Sequence, residues 1–286
     1  MFEIQNTAMI VVLTISQWTA RKLDKKATQD VQQANNAASD TGRYNKYLIA
    51  SDALKEINRN ATTARTYHYE RTLPWSKAGG AIIPSAGYLE YCDAMRGFRD
   101  EQERLVSAFM SNYESYIYQS QQRLGAMFNR DDYPTAYKIE SKFSFAVETS
   151  PVPTAGDFRV QLNGDCVDSI RQEIETRTES LTSKAMGELW QRLHTAITHI
   201  ADKLGGIREN GKPDIFKNSL IQNAMDLCAL LPKLNLTGDA NLEAMRIEVE
   251  NRLLGHSCKT LREDTETRKN VAQDAAAIAA AMKGYF

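Results

Sequence analysis

Residues 88–128 read YLEYCDAMRGFRDEQERLVSAFMSNYESYIYQSQQRLGAMF. Apolar side chains recur in this segment at steps of three, four or seven residues, and they are Tyr88, Tyr91, Met95, Phe98, Leu105, Phe109, Tyr113, Ile117, Leu124 and Phe128. Because an α-helix turns once every ~3.6 residues, these steps place the apolar side chains on one face. The spacing predicts an amphipathic helix that begins near Ser85, contains about 40 residues and is about 60 Å long.

A second long helix is predicted from about Asp165 to Leu204. Its apolar positions keep a near-heptad spacing, and they are Val167, Ile170, Ile174, Leu181, Ala185, Leu189, Leu193, Ile197, Ile200 and Leu204. This spacing is typical of helices that pack side by side. We therefore expect the two long helices to form an antiparallel, coiled-coil-like hairpin, which ends at the turn residues Gly205-Gly206.

Short segments with strand patterns surround and interrupt this hairpin. Met9–Ile15 is a continuous apolar run, and Lys138–Thr149 alternates between apolar and polar residues. Phe158, Val160 and Leu162 alternate again, either as the second strand of a hairpin or as part of the sheet that Met9–Ile15 begins. The patterns predict a small β-sheet inserted between long helices.

The other segments are mainly helical or turn-forming. Tyr44–Tyr69 has helical apolar spacing with a candidate break near Asn60, whereas Thr72–Gly87 carries the prolines and glycines of a turn with a short extended piece. Ala27–Ser39 is Gln/Asn/Ala-rich and is interpreted either as a poorly packed helix or as a loop. Further helices are predicted at Asp214–Leu231, at Asn241–Leu254 and at the alanine-rich end of the chain.

Together these patterns predict an α+β, predominantly helical fold. Its parts are the long antiparallel coiled-coil-like helical hairpin, the small β-sheet and a C-terminal helical bundle. The predicted divisions are an N-terminal α/β region at 1–84, the hairpin with an inserted β segment (138–162) at 85–204, and the bundle at 205–286.

Composition and charge exclude several classes of protein. The 35 basic and 36 acidic side chains nearly cancel, so the whole chain has no net field that would draw it to nucleic acid or to an anionic membrane. Ala8–Ile15 is too short to cross a bilayer, and we expect no membrane association. Four widely spaced cysteines without a CxxC pair indicate free thiols in a reducing cytoplasm.

No recognisable catalytic or cofactor-binding motif occurs in the sequence. Phosphate-binding loops, the dinucleotide-binding glycine pattern, the nucleophile elbow and the HExxH zinc motif are all absent. Asp131-Asp132 is interpreted as a solvated turn, with a metal-dependent nuclease as the enzymatic alternative. We therefore expect a protein that is not an enzyme and has no cofactor or metal.

One local charge excess stands out. Residues 17–77 hold eleven basic residues against six acids, and aromatic residues lie between them. Cations for phosphates and aromatic rings for bases are what a single-stranded nucleic acid requires, although a solvated basic helix face would have the same composition. The candidate nucleic-acid-binding residues are Arg21, Lys22, Lys25, Lys26, Arg43, Tyr44, Lys46, Arg65, Arg71, Trp75 and Lys77.

Three segments of the N-terminal half occur in a familiar order: LTISQWTARK (13–22), GGAIIPSAGY (79–88) and FRDEQERLVSAFMSNYESY (98–116). In this order they resemble an uncharacterised domain family of phages and prophage-bearing bacteria, over roughly residues 9–165. The Gln/Asn-rich residues 29–36 depart from the family pattern. Family members have no assigned activity, and some lie near genes for MoxR-like AAA+ ATPases. The resemblance implies a phage origin, a place in the cytoplasm of the infected host and an AAA+ ATPase partner.

Two functional hypotheses follow. The first is a phage-encoded interaction or scaffold protein that forms a homo-oligomer or docks a protein partner through its long amphipathic helices. The second is a nucleic-acid-binding protein, with DNA as the expected ligand, acting in phage replication, recombination or genome protection through residues 17–77.

Overall fold

The computed structural model describes residues 4–76, 79–154 and 164–286. Its structure is 65% helical with a small antiparallel sheet, which confirms the predicted α+β, predominantly helical class. The helices are α1 (Ile4–Thr7), α2 (Lys25–Ala34), α3 (Lys55–Arg71), α4 (Ser85–Ser111), α5 (Tyr113–Leu124), α6 (Ala136–Glu140), α7 (Gly164–Gly205), α8 (Ser219–Leu234), α9 (Ala240–Arg252), α10 (Thr260–Glu263) and α11 (Thr265–Met282). The strands are β1 (Ala8–Ser16), β2 (Arg21–Leu23), β3 (Asn45–Tyr47), β4 (Leu73–Pro74), β5 (Ala81–Pro84) and β6 (Ser144–Pro151).

The predicted N-terminal strand is confirmed as β1. It belongs to a four-stranded sheet with the order β4-β5-β1-β6. The β1–β5 pair is antiparallel, with Met9 opposite Ile83 and Ile10 opposite Ile82. The strand predicted at Lys138–Thr149 begins later than expected, because residues up to Glu140 belong to α6, which buries Ile139. The alternating Phe158, Val160 and Leu162 lie outside the described residues.

The chain divides into two compact units, each built from separate segments. The first unit contains residues 1–12, 69–91 and 148–286, and the second contains residues 13–68 and 92–147. The three-part division at 84 and 204 stays a prediction.

Helix α7 organises the core of the first unit. It matches the prediction for Asp165–Leu204 almost residue for residue, and its stripe is buried through Leu189, Leu193 and Ile197. The buried stripe packs against α11 and α8, and the small side chains on α11, such as Ala275, allow close approach. The predicted coiled-coil hairpin between the two long helices is therefore not confirmed.

The helix predicted over about 40 residues is two helices, α4 and α5, and from residue 92 onward they belong to the second unit. Asn112 separates them because its side-chain Nδ2 donates to the carbonyl of Ala108 and competes with the helical hydrogen bonds. The second helix ends at Leu124, where Gly125 takes a positive φ of 51°. The core around these helices includes Trp18, which packs against the rings of Phe109 and Tyr113.

The helix predicted for Tyr44–Tyr69 is wrong in its first half. Residues 45–47 form β3, and α3 begins only at Lys55. Asn60 does not interrupt α3, because its side chain donates outward to the carbonyl of Phe98 and to Oε1 of Gln102. Residues 27–34 of the Gln/Asn-rich segment belong to α2, none of whose residues is buried, so the poorly packed helix is the correct alternative for this part. Residues 35–39 follow the helix as a loop.

Candidate nucleic-acid interface

Strands β2 and β3 form a two-stranded antiparallel ribbon in the second unit. Its register places Arg21 opposite Tyr47 and Lys22 opposite Lys46. Side chains along a strand alternate between its two faces, and opposite residues share a face. The register therefore puts Arg21 and Tyr47 on one face of the ribbon, and Lys22 and Lys46 on the other.

Lys46 is a buried structural cation. Its side chain is 6% exposed, and its Nζ lies 2.7 Å from Oδ2 of Asp132 and 3.0 Å from Oδ2 of Asp24. Nζ also donates to the carbonyl of Met127 at 2.7 Å, which uses the third donor of the ammonium. The predicted role of Lys46 in nucleic-acid contact is thus corrected, because its donors already have protein partners.

The charges around Lys46 favour its protonated form. Burial alone would lower the pKa of Lys46, but the hydrogen bonds and charges of Asp132 and Asp24 raise that pKa above its ordinary value. The pKa of Asp24 is lowered, first by the hydrogen bond that its carboxylate accepts from the backbone N–H of Ala27, and then by Lys46. Asp24 therefore caps α2 and pairs with Lys46 at the same time.

The opposite face of the ribbon is open to solvent. Tyr47 is 44% exposed, and the guanidinium carbon of Arg21 lies 4.8 Å from the centroid of the Tyr47 ring. This distance is within the range of a cation–π contact. Arg123 of α5 donates from Nη2 to the carbonyl of Tyr47, so a second guanidinium lies beside the same residue.

Sequence reasoning missed Arg123. It lies 76 residues from Tyr47 along the chain and outside the basic segment at 17–77. No local pattern of sequence links a residue on an amphipathic helix to a strand so far away, so only a contact prediction from co-varying positions would have found it.

Three further cations and a tyrosine lie close to the ribbon in sequence and are exposed. Lys25 and Lys26 form the first turn of α2, shortly after β2, while Arg43 and Tyr44 directly precede β3. The two segments are tied together, because the N–H of Asp24 donates to the carbonyl of Tyr44 at 2.9 Å. The backbone N–H of Tyr44 also donates to Oγ1 of Thr28 on α2 at 3.0 Å.

Arg21, Lys25, Lys26 and Arg43 have no acidic side chain within ion-pair distance among the residues described. The arginines of α4 differ in this respect. On α4 they pair with acids of the same helix, as Arg96 does with Asp93 at 2.9 Å and Arg104 with Glu101 at 2.7 Å. The cations near the ribbon therefore keep their charge available to an external anion.

The remaining predicted residues do not join this surface. Arg65 is half-buried and donates to the carbonyl of Ile15 at 2.9 Å. Arg71 and Trp75 belong to the first unit, where Arg71 pairs with Glu70 at 3.5 Å and Trp75 is buried in the core. Burial removes Trp75 from the candidate surface, and Lys77 lies outside the described residues.

Two side chains of types common in catalysis, His68 and Cys228, are buried. Burial lowers the pKa of His68 to about 4 and raises the pKa of the Cys228 thiol to about 12. Residues 4–76, 79–154 and 164–286 contain no group of three His, Cys, Asp or Glu side chains that could hold a metal ion. A depression lined by Arg71, Glu90 and Lys233 has a cavity volume of about 10 Å³, which is room for about one water molecule.

Within the described part of the chain, no helix combines the length and the apolar character needed to cross a membrane. Comparisons of the chain with protein-family models, with curated proteins and with solved structures found no match.

Proposed function

We propose that this protein binds nucleic acid through a surface formed by β2, the start of α2 and β3. We call it the ribbon surface and define it by its exposed side chains, which are Arg21, Lys25, Lys26, Arg43, Tyr44 and Tyr47. The predicted Lys22 lies on the opposite face of the ribbon and pairs with Asp132 at 3.5 Å. The observation that carries the proposal is that Arg21, Lys25, Lys26 and Arg43 have no acidic partner among the described residues, while two exposed tyrosines lie next to them. Phosphates take such cations, and bases stack on such rings.

The chain's overall charge does not oppose this assignment. The net charge of −1 gives no long-range attraction to a polyanion, so affinity must come from a local group of cations. Each phosphate neutralised by a protein cation releases condensed counterions, and the affinity then falls steeply with salt. A small patch of about four or five free cations is expected to bind with moderate affinity and a marked salt dependence.

The test is fluorescence anisotropy of labelled DNA and RNA oligonucleotides, titrated with the protein at about 50 mM and about 200 mM salt. The informative variant is Lys25→Glu with Lys26→Glu. Both residues lie in the first turn of α2, where acidic side chains interact favourably with the helix dipole, so the variant should keep its fold. Its affinity for the oligonucleotide should weaken at least about tenfold. The slope of log K against log salt concentration should become shallower by about 0.7 for each single-strand phosphate that the variant no longer neutralises.

The matched control is Lys212→Glu with Lys269→Glu, two exposed lysines of the first unit that change the total charge by the same amount. This control should bind like the unaltered protein. Equally weakened binding in both double variants would mean that only net charge matters, and that result would remove the ribbon surface as the site. No binding of any oligonucleotide at low salt would overturn the proposed function itself.

The second candidate is a phage-encoded interaction protein in the cytoplasm of the infected host, which self-associates or docks an AAA+ ATPase. Both predicted apolar stripes are largely buried inside the chain, so the partner would need another surface. The observation that favours this candidate is that Leu89, Ile207 and Ile215 of the first unit are large apolar side chains with 75%, 74% and 74% exposure. Light scattering over a wide range of protein concentration tests self-association, since a mass of one chain throughout would exclude it.

A further inference from the structure

We infer that the nucleic acid taken by the ribbon surface is single-stranded, with an unpaired base stacked at Tyr47. This inference rests on the proposed function and specifies its ligand. It depends on three features of the ribbon: the exposed ring of Tyr47, the guanidinium of Arg21 over that ring, and the opposite face, which the buried Lys46 anchors.

The Tyr47 ring is placed to receive a base. It stands on the solvent face of β3 with 44% of the residue exposed, although Arg21 already covers part of the ring. Unpaired bases stack both on aromatic rings and on guanidinium planes. Arg21 and Tyr47 therefore present a continuous platform, on which a base can lie over the ring or over the guanidinium.

Two guanidinium groups contact Tyr47, one at its ring and one at its backbone carbonyl. Arg123 approaches Tyr47 from α5, and Arg21 lies on the neighbouring strand. A strand that follows the solvent face of β3 would thus meet the ring of Tyr47 together with the guanidinium of Arg21.

The anchoring of the ribbon through Lys46 argues against a duplex ligand. A two-stranded ribbon that reads duplex DNA enters the major groove, which is about 12 Å wide, and must project from the protein to do so. Here Lys46 fixes the inner face of the ribbon to Asp132 and to the carbonyl of Met127. The ribbon is also short, with three residues in each strand. It can present one face to a flexible single strand, but it is not a free arm that fits into a groove.

The test measures single-stranded and duplex oligonucleotides of the same sequence against Tyr47→Ala and Tyr47→Phe. Removal of the ring should weaken single-strand binding about tenfold, in line with other alanine substitutions at stacking sites, whereas the phenylalanine variant should stay within about twofold. Duplex binding should be weaker than single-strand binding and should not respond to either variant. The control Tyr137→Ala removes an exposed ring of α6 in the same unit, and it is expected to change neither single-strand binding nor duplex binding.

The stacked-base inference and the proposed function fail in different ways. Duplex binding as tight as single-strand binding, or a Tyr47→Ala variant that binds single strands normally, would overturn the stacked-base inference while nucleic-acid binding stands. If neither form binds, the proposed function falls and this inference falls with it. Circular dichroism of Tyr47→Ala checks that the exposed substitution leaves the helices intact.

Discussion

The ammonium of Lys46 lies 2.7 Å from the carboxylate of Asp132, although the two residues are 86 positions apart in the chain. This ion pair fixes β3 to the 3₁₀ turn Arg130–Asp132. Through Asp24, the same ammonium also holds the start of α2. One buried cation therefore joins two segments of the ribbon surface, β3 and the start of α2, to the turn at Arg130–Asp132.

Replacing Lys46 by methionine should lower the free energy of unfolding of the second unit by about 3–5 kcal/mol. The substitution keeps the apolar stem but leaves the carboxylates of Asp24 and Asp132 without their shared partner in a poorly solvated site. Urea unfolding followed by circular dichroism measures the change.

Lys22→Met is the control for this prediction, because Lys22 pairs with the same Asp132 at 3.5 Å but its side chain is 51% exposed. An exposed ion pair contributes at most about 1 kcal/mol, so the control should unfold almost like the unaltered protein. Similar destabilisation of the two variants would show that burial does not distinguish the two lysines.

His68 should make the second unit less stable in mild acid. Burial lowers the pKa of His68 from 6.5 to about 4, so between these values the unfolded chain binds the proton and the folded chain does not. The folded state is therefore at its full stability above pH 6.5, and it loses stability as the pH falls toward about 4, because protonation of His68 then favours the unfolded chain. Unfolding free energies measured across this range should decline by up to about 1.4 kcal/mol per pH unit.

The variant His68→Gln should unfold with a flatter pH profile, because glutamine has no proton to gain in this range. His256→Gln, at an exposed position, should keep the profile of the unaltered protein. If the unfolding free energy of His68→Gln depends on pH as it does in the unaltered protein, other groups cause the loss of stability in acid.

Two adjacent glycines at the end of α7 should respond oppositely to alanine. A Cβ on Gly206 would lie 2.8 Å from the backbone carbonyl oxygen of Asp202 and 2.8 Å from Oδ2 of Asp214, so Gly206→Ala should cost about 1–3 kcal/mol. A Cβ on Gly205 would meet only Ala272, at an ordinary 3.7 Å. Gly205→Ala should therefore be neutral or stabilise by up to about 1 kcal/mol. Thermal unfolding of the two variants decides between these outcomes, and equal effects would contradict the prediction.

Arg268→Met should destabilise the first unit by about 3 kcal/mol. The buried guanidinium donates to the carbonyls of Lys203, Leu204 and Asp214, and no other donor among the described residues serves all three. Removing it leaves polar groups at the end of α7 without partners. The exposed neighbour Lys269 on the same helix provides the comparison, since Lys269→Met should change stability by less than about 0.5 kcal/mol. Urea unfolding of both variants measures the difference.

Long periodic segments were predictable because their signal is local. The pattern for Asp165–Leu204 predicts α7 within one residue at each end, since its apolar stripe is continuous and glycines follow it. The partner of α7 was not predictable in this way. An apolar stripe indicates that one face of a helix will be buried. It does not indicate which element will cover that face, and here α11 covers it rather than the first long helix.

Residues whose structure depends on distant partners were predicted wrongly or only in part. Lys46 lies in β3, and its charge partner Asp132 belongs to a turn much later in the chain. The apolar spacing around Tyr47 does not indicate that contact. The basic composition of residues 17–77 correctly includes the exposed cations near the ribbon. It also includes Trp75, whose burial in the core of the first unit depends on helices more than a hundred residues later.

The segmented make-up of the two units affects the order in which they can form during synthesis. Every residue of the second unit precedes residue 148, so this unit is complete in sequence before α7 has been translated. The first unit also contains α11, and β5 must wait for the later helices to cover Ile82, which is fully buried in the finished protein. During that interval β5 exposes an apolar strand on the nascent chain, and such strands are prone to non-native association. We expect β5 to depend on chaperone protection during this interval.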